Sequence, residues 1–221
     1  MKRKLKIEIG LAVLLLLIAL FGSFLAPYDP LKVNYDFSLQ PPSFLHIFGT
    51  DKLGRDVFSR ILCGAKTSFG LTFLMLFLIV FIGMIVGLIA GLSNDKVESF
   101  FNNIINGLLA FPDTIFAIAI VGIVGAGLFN TVFALALIWW TKYARLTLAL
   151  VKQEKKKNYL VISKMSGVPP LQRIIRYLLP NILSQILVTA FLDIGNMMIS
   201  LAGLSFLGLA SQPPQPEWGA M

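Results

Sequence analysis

The chain has 221 residues, of which 57% are hydrophobic and 14% are charged, and its formal net charge is +8. A soluble domain carries about 25% charged residues and lacks repeated apolar runs of about 20 residues, so this composition excludes an ordinary soluble protein and indicates an integral membrane protein. The basic residues concentrate in two segments beside apolar runs, which favours a topological role over nucleic-acid binding.

The first predicted element is an uncleaved membrane span whose N-terminus lies in the cytoplasm. Four basic residues precede an apolar run at residues 11–25. A signal peptide is the alternative, but no small-x-small pair stands before a possible cleavage site. The run also extends back through Ile7 and Ile9, so at about 1.5 Å of rise per residue the helix is long enough to cross a bilayer.

Residues 27–66 form a polar linker with four prolines, which we expect outside the cytoplasm because it follows one crossing. Its residues 49–56 superficially resemble the phosphate-binding pattern G-x4-G-K-[ST], but Arg55 and Asp56 replace the lysine and the hydroxyl. A carboxylate there would repel phosphate, so nucleotide binding is rejected. We expect instead a glycine turn followed by an amphipathic helix, with Asp51 or Asp56 near its start.

The second span is predicted at about residues 67–92 and carries a regular series of glycines. Gly83, Gly87 and Gly91 recur every four residues and therefore share one helix face, which allows another helix to approach closely. The third span is predicted from Pro112 to about residue 127. Asp113 is interpreted as a favourable helix-start residue, and a role as an ion ligand is the alternative.

The fourth span is predicted at about residues 130–150, with aromatic residues in its later half. Trp139, Trp140 and Tyr143 form either an interfacial belt or the lining of a path, and the belt is favoured. Four crossings from a cytoplasmic N-terminus return the chain to the cytoplasm after this span.

A basic loop at residues 152–180 follows, at the position where the crossings predict a cytoplasmic segment. It holds seven of the nineteen basic residues against one acid, Glu154. Basic loops between spans lie on the cytoplasmic side, in agreement with the number of crossings. Two short helices are predicted around a turn that Gly167 reverses and that Pro169 and Pro170 restrict. This pattern is typical of a docking surface.

The fifth span is predicted from just after Pro180 to about residue 204, with a tail outside the cytoplasm. An ionisable residue within a span is costly and is a functional hypothesis by default. We therefore interpret the polar and methionine side chains of this span as a candidate substrate path: Asp193, Asn196, Met197 and Met198. In the alternative interpretation, Asp193 bonds a neighbouring helix and the methionines fill the core.

Three ordered motifs resemble the permease subunits of bacterial ABC transporters of the dipeptide, oligopeptide and nickel uptake group. The linker segment FGTDKLGRDVFSR, residues 48–60, is similar to a group signature between the first two spans. The basic loop resembles the pattern E-A-A-x3-G-x9-I-x-L-P, with Gly167, Leu179 and Pro180 in register. The tail LAGLSFLGLA…PPQPEWGAM resembles the segment after the fifth span.

The chain departs from this family pattern in two ways. The E-A-A positions hold Val161, Ile162 and Ser163, and Tyr177 replaces the isoleucine, which would alter packing against the partner. The family has six spans and five are predicted here, so we expect a truncated product or a fragment.

The resemblance implies an all-α polytopic membrane helix bundle like that of type I ABC importer permeases, with five visible spans of an expected six. Residues 1–66 would form the N-terminal span and extracytoplasmic linker, and residues 67–221 the transmembrane core with the coupling loop 152–180. The protein would be a multi-pass component of the bacterial cell (inner/plasma) membrane. The residues expected to couple it to an ATPase subunit are Tyr159, Leu160, Met165, Gly167, Pro169, Leu179 and Pro180.

The resemblance also implies partners. The chain lacks a nucleotide loop and a nucleophile–base pair, and one cysteine and one histidine exclude a disulfide, a cysteine-based zinc cluster or a multi-histidine site within it. The expected partners are a second permease subunit, two ATP-binding subunits that hold ATP and Mg, and an extracytoplasmic solute-binding protein. No cofactor, metal site or nucleic acid is expected on this chain, and it is not expected to be an enzyme.

The cargo is predicted from the fifth span. An aspartate and paired methionines look closest to nickel permeases, so nickel, free or chelated, is favoured, with di- or oligopeptides as the alternative. A channel or secondary transporter is the alternative from another class, although no inverted repeat is visible. A non-transporting membrane scaffold would leave the basic loop as a topology signal alone.

Overall fold

The computed structural model describes residues 2–211 and 214–221, and these residues fold into helices. Most of the helices are joined by short turns, and the first two by a linker at residues 26–56. Apart from a single bridge between Thr50 and Asp56, the described residues contain no β structure. Two 3-10 helices, Tyr35–Phe37 and Trp218–Ala220, and one π-helical turn, Ile174–Leu178, accompany the α-helices. The α-helices are α1 Lys2–Leu25, α2 Val57–Leu92, α3 Asp95–Leu109, α4 Asp113–Val124, α5 Leu128–Lys155, α6 Asn158–Met165, α7 Pro170–Arg173 and α8 Leu179–Phe206.

Four helical segments of the described chain are long and apolar enough to cross a membrane. They are Lys6–Leu25, Val57–Leu92, Leu128–Lys155 and Pro170–Phe206. A fifth span results if α3 and α4, which meet at 85°, are counted together. The predicted all-α membrane bundle is confirmed, and five spans are reached when this bent pair counts as one.

The third span differs from its prediction as a single helix. The helix α4 has 12 residues, which at about 1.5 Å each is too short for a hydrocarbon core of about 30 Å. The break falls at residues 110–112, because Pro112 has no N–H to donate and disfavours helical geometry in the residue before it. Asp113 begins α4 as predicted, and its Oδ1 accepts a hydrogen bond of 2.8 Å from the N–H of Thr114.

The helix α2 begins earlier than the predicted second span. Asp56 is its N-cap, since Oδ2 accepts hydrogen bonds from the N–H and the hydroxyl of Ser59 at 2.8 and 2.7 Å. The amphipathic helix and the second span are therefore one helix of 36 residues. Asp51 instead organises the preceding glycine turn, accepting from the N–H groups of Leu53 and Arg55.

The chain divides into two compact units. The first comprises Met1–Thr72, Ala126–Phe129 and Met198–Met221. Within it, a Cβ atom at Gly22 would lie 2.7 Å from the carbonyl oxygen of Leu62, so the glycine permits close packing of α1 on α2. The C-terminal segment also packs on α2, where Trp218 Nε1 donates to the carbonyl oxygen of Ile61 at 3.0 Å.

The second unit comprises Phe73–Gly125 and Asn130–Met197, and the glycine series of α2 forms a close helix contact within it. Added Cβ atoms at Gly83 and Gly87 would lie 2.5 Å from the Cβ atoms of Tyr143 and Thr147 on α5. One at Gly91 would lie 2.8 Å from a side-chain carbon of Val151. The predicted close approach of another helix to this face is confirmed, and its partner is α5.

Candidate functional site

The turn of the basic loop has a defined geometry. Gly167 adopts a φ of +74°, which a side chain would disfavour. The N–H of Gly167 donates to the carbonyl oxygen of Lys164 and that of Val168 to the oxygen of Ser163, a Schellman end for α6. Pro170 is then the first residue of α7. The structure thus has the first short helix and the glycine–proline reversal that the sequence predicts. The second predicted short helix is not separate, because α7 continues through the π turn into α8.

The helical hairpin formed by residues 158–180 has apolar side chains on both an outer face and an inner face. Of the predicted coupling residues, Met165 is 82% exposed, and Gly167, Pro169 and Pro180 are also exposed. Tyr159, Leu160 and Leu179 are half-buried. The outer face also contains apolar residues that were not among the predicted coupling residues: Ile162, Leu171 and Ile175. These residues lie three or four positions from one another or from Met165, and residues at that spacing share one helix face. The spacing could therefore have predicted them.

The inner face borders a cavity of about 570 Å³. Apolar side chains from α6 and the π turn line it together with three cations, Lys155, Lys164 and Arg173. Lys155 also donates from Nζ to the carbonyl oxygen of Gly91 at 3.0 Å, which fixes the end of α5 to the end of α2. The inner face of the hairpin is therefore both basic and apolar.

A hydrogen-bond chain connects the hairpin to two long helices. The hydroxyl of Tyr159 donates to Glu154 on α5 and accepts from Nδ2 of Asn181 on α8. Burial, and then the hydrogen bond to the carboxylate, raise the pKa of Tyr159 to about 12. Nζ of Lys157 also donates to the carboxylate of Glu154, at 2.6 Å. Tyr159 thus connects α6 to both α5 and α8.

The fifth span begins before the predicted position. The π turn continues α7 into α8, and the apolar helical segment runs from Pro170 to Phe206 without interruption. Pro180 is the second residue of α8 rather than a residue just before it. Its ring would clash with the preceding turn in ordinary α geometry, and the wider π turn, with the N–H of Leu179 bonded to Ile174, gives it room.

Asp193 lies in a buried ion pair in the second unit. Its side chain receives hydrogen bonds of 2.8 and 2.7 Å from Nζ of Lys142, one on each oxygen, and one of 2.9 Å from the hydroxyl of Tyr143. Asp193 is 4% exposed. A carboxylate in a span is costly without such a partner. The alternative in which Asp193 bonds a neighbouring helix fits these contacts.

The other residues of the candidate substrate path do not gather around Asp193. Met197 is fully buried, Asn196 is exposed, and Met198 lines a separate cavity of about 210 Å³ in the first unit with Ser68 and Glu217. Among the described residues, no three His, Cys, Asp or Glu side chains are placed to hold a metal ion. The assignment of these residues to a substrate path remains a prediction.

A second cavity of the same unit adjoins Lys142. It has a volume of about 340 Å³ and lies between the α3–α4 break and α5. Its polar lining includes Asp113, Thr141 and Lys142, and the indole Nε1 of Trp139 is buried without an acceptor among the described residues. Asp113 and Trp139 belong to different predicted spans, and nothing in their spacing predicts that they share a cavity.

Polar residues of α3 are held against α5. Asn94 caps α3 by accepting from the N–H of Val97 at 3.1 Å. Lys152 binds Glu98 at 2.7 Å, and Arg145 donates to Oδ1 of Asn106. These contacts explain why α3 is semi-polar and hold it beside α5, in the unit that also contains the α3–α4 break.

Comparison with known proteins gives two family matches. Residues 83–221 match the family described as "Binding-protein-dependent transport system inner membrane component". Residues 9–42 match the "N-terminal TM domain of oligopeptide transport permease C". Together the matches cover the first span, part of the linker and most of the helical core.

Three curated relatives are similar over nearly the whole chain. The di/tripeptide transport system permease protein DppC of Pseudomonas aeruginosa (strain UCBPP-PA14) is 40% identical over 96% of this chain and 73% of its own length. The nickel transport system permease protein NikC of Escherichia coli (strain K12) is 35% identical over 94% of this chain and 75% of its own. The glutathione transport system permease protein GsiD of Shigella flexneri serotype 5b (strain 8401) is 39% identical over 95% and 69%.

Proposed function

The chain belongs to the family of binding-protein-dependent transport system inner membrane components and is a multi-pass permease subunit of an ABC importer, and we propose that its cargo is a small peptide. Two of the three relatives above carry names that state a peptide cargo, since glutathione is itself a tripeptide. The third carries the name of a nickel transporter. The family is therefore common to all three, whereas the cargo has to be argued from the site.

The ion pair of Asp193 is the observation that favours a peptide over nickel. The nickel hypothesis was drawn from Asp193 and the paired methionines of this span, but both oxygens of Asp193 already accept from Lys142 and one also accepts from Tyr143. A metal ion would have to displace a cation at 2.7 Å from the same carboxylate. Nickel stays the second candidate because a nickel permease is 35% identical to this chain.

The proposed machinery includes a second permease subunit, two ATP-binding subunits that carry ATP and Mg, and an extracytoplasmic solute-binding protein. The outer face of the hairpin, which includes the exposed Met165, would dock on an ATP-binding subunit. Its exposed apolar side chains support this role, because contiguous exposed apolar surface marks interaction sites. The N-terminus lies in the cytoplasm in this proposal, as the basic residues of the first segment and of the loop indicate.

The coupling mechanism follows from the hydrogen bonds of Tyr159. Closure of the ATP-binding subunits would move α6, and the bonds of Tyr159 to Glu154 and Asn181 would pass that movement to α5 and α8. These two helices carry Lys142 and Asp193, so the same displacement reaches the middle of the second unit. Cargo moves only if the two states of the permease bind it differently.

Uptake in cells that lack this subunit tests the proposed cargo. The chain is returned to the cells, and accumulation of a labelled dipeptide and of radioactive nickel is measured in parallel. We expect restored dipeptide uptake and unchanged nickel uptake. Restoration of nickel uptake alone would replace the proposal by the second candidate. An empty-vector strain and a strain with Gly122→Ala, where an added Cβ meets nothing within 4 Å, are the controls.

A further inference from the structure

We propose that the cavity between the α3–α4 break and α5 binds both charged ends of a small zwitterionic peptide, its ammonium group at Asp113 and its carboxylate at Lys142 and Trp139. This inference rests on the proposed peptide cargo and assigns it a site. The residues concerned all belong to the second unit. The cavity volume of about 340 Å³ lies in the range of about 300–1,000 Å³ that is usual for small-ligand pockets.

The acceptor end of the cavity is Asp113. Its carboxylate accepts one hydrogen bond, from the N–H of Thr114, and has no ionic partner among the described residues. An ionised carboxylate offers about four lone-pair positions, so most of its capacity remains available. Asp113 is half-buried at the start of α4. An ammonium group of a ligand would supply the missing countercharge.

The donor end consists of Lys142 and Trp139. An ammonium group has three donors, and Lys142 uses two of them on Asp193. Its side chain is 50% exposed and lines the cavity, so the third donor is available to a ligand. The buried indole N–H of Trp139 has no acceptor among the described residues, and a buried donor without a hydrogen bond is costly. A ligand carboxylate would satisfy both donors.

The break between α3 and α4 supports a polar ligand at this place. Irregular backbone at membrane depth is tolerated where it is buried in protein or lines a water-filled cavity, and not against lipid. Leu109, Phe111 and Ile138 supply apolar walls beside the charges. A hydrated metal cation fits less well, because Asp113 is the one carboxylate among the described residues that line the cavity, and the ammonium of Lys142 would repel the ion.

Cysteine protection measures occupancy of this cavity without transport. Phe111 lines the cavity and is exposed, so Phe111→Cys in a Cys63→Ser background gives this chain a single reactive thiol. The importer is assembled with its partner subunits in vesicles. The solute-binding protein is omitted because its own ligand specificity would affect the comparison between ligands. The rate of alkylation by N-ethylmaleimide is then measured with dialanine, with its N-acetyl and amide derivatives, with the doubly blocked form and with Ni²⁺.

We expect dialanine to protect the thiol, and each single block to weaken protection by about tenfold, as a lost hydrogen bond to a charged group predicts. Ni²⁺ and the doubly blocked peptide should not protect. Asp113→Asn should remove the difference between dialanine and its N-acetyl form while keeping the effect of the amide. Trp139→Phe should do the reverse, weakening the preference for a free carboxylate.

Two outcomes overturn the inference. Equal protection by dialanine and the doubly blocked peptide would show that the charges do not recognise the ligand. Protection that Asp113→Asn and Trp139→Phe leave unchanged would place the ligand elsewhere. The double variant Lys142→Gln with Asp193→Asn extends the test without leaving a buried carboxylate unpaired. Dipeptide uptake with no charge-dependent protection would retain the proposed cargo and reject this site, so the two failures are distinguishable.

Discussion

Removal of the ammonium group of Lys142 should destabilise the folded protein markedly. The substitution Lys142→Met keeps most of the apolar stem but leaves the carboxylate of Asp193, which is 4% exposed, with the hydroxyl of Tyr143 alone. Loss of one partner from a buried pair costs about 3–5 kcal/mol. Because the side chain of Lys142 is 50% exposed, we expect the lower end, about 3 kcal/mol.

Thermal unfolding of the purified protein in detergent measures this cost. At about 2–4 °C per kcal/mol for a chain of this size, the midpoint should fall by about 6–12 °C. The double variant Lys142→Met with Asp193→Asn should recover most of the loss, because a neutral amide in place of the carboxylate no longer requires a countercharge.

An exposed ion pair of the same unit provides the matched control. Lys152 and Glu98 lie 2.7 Å apart, as close as Lys142 and Asp193, but their side chains are 53% and 20% exposed. Solvent screening reduces such a pair to about 0.2–1 kcal/mol, so Lys152→Met should lower the midpoint little. Equal losses in Lys142→Met and Lys152→Met, or no recovery in the double variant, would refute burial as the reason that Asp193 needs Lys142.

Three further perturbations test the helix contact, the docking face and the linker. Gly87→Ala should destabilise the protein, because the added Cβ would lie 2.5 Å from the Cβ of Thr147, whereas Gly122→Ala should not. Thermal unfolding compares the two variants, and equal midpoints would contradict the close contact. Met165→Asp should abolish co-purification with the ATP-binding subunit and leave membrane insertion intact; normal co-purification would contradict docking at this face. Burial raises the pKa of Asp51, but hydrogen bonds from Arg55 and Leu53 outweigh it and lower the pKa overall. The carboxylate therefore stabilises the linker above the ordinary pKa of 3.8, and this contribution is lost as the pH falls through the lower pKa of the folded state. Limited proteolysis of the linker should become faster as the pH falls through this range, and Asp51→Asn should remove the dependence.

Local features of the fold were predictable because their causes lie close together in the chain. The spacing of Gly83, Gly87 and Gly91 determines one helix face whatever the partner is. The Schellman turn needs a residue that tolerates a positive φ, and Gly167 followed by prolines indicates one directly. The N-cap at Asp56 likewise depends on Ser59, three residues away.

Features that depend on distant residues were not predictable from one sequence. Lys142 and Asp193 are 51 positions apart, and Lys142 was not considered as a partner for the aspartate. The 85° bend between α3 and α4 depends on packing as well as on Pro112, since a proline alone permits anything from a kink to a break. The outer face of α6 depends on which side packs inward, so the exposed Ile162 was not among the predicted coupling residues.

The most direct test of the account is ATP-driven uptake by importers that differ at Gly167. Vesicles with the assembled importer and its binding protein receive labelled dipeptide, with or without ATP inside. Gly167 has a φ of +74°, so Gly167→Val should strain the backbone of the turn. Asparagine tolerates this conformation, and Gly167→Asn is therefore the control. An added Cβ meets nothing within 4 Å, so steric crowding does not explain the expected effect. We predict ATP-dependent uptake with the native chain and with Gly167→Asn, and little uptake with Gly167→Val at equal insertion. Uptake without ATP, or full uptake with Gly167→Val, would contradict the account.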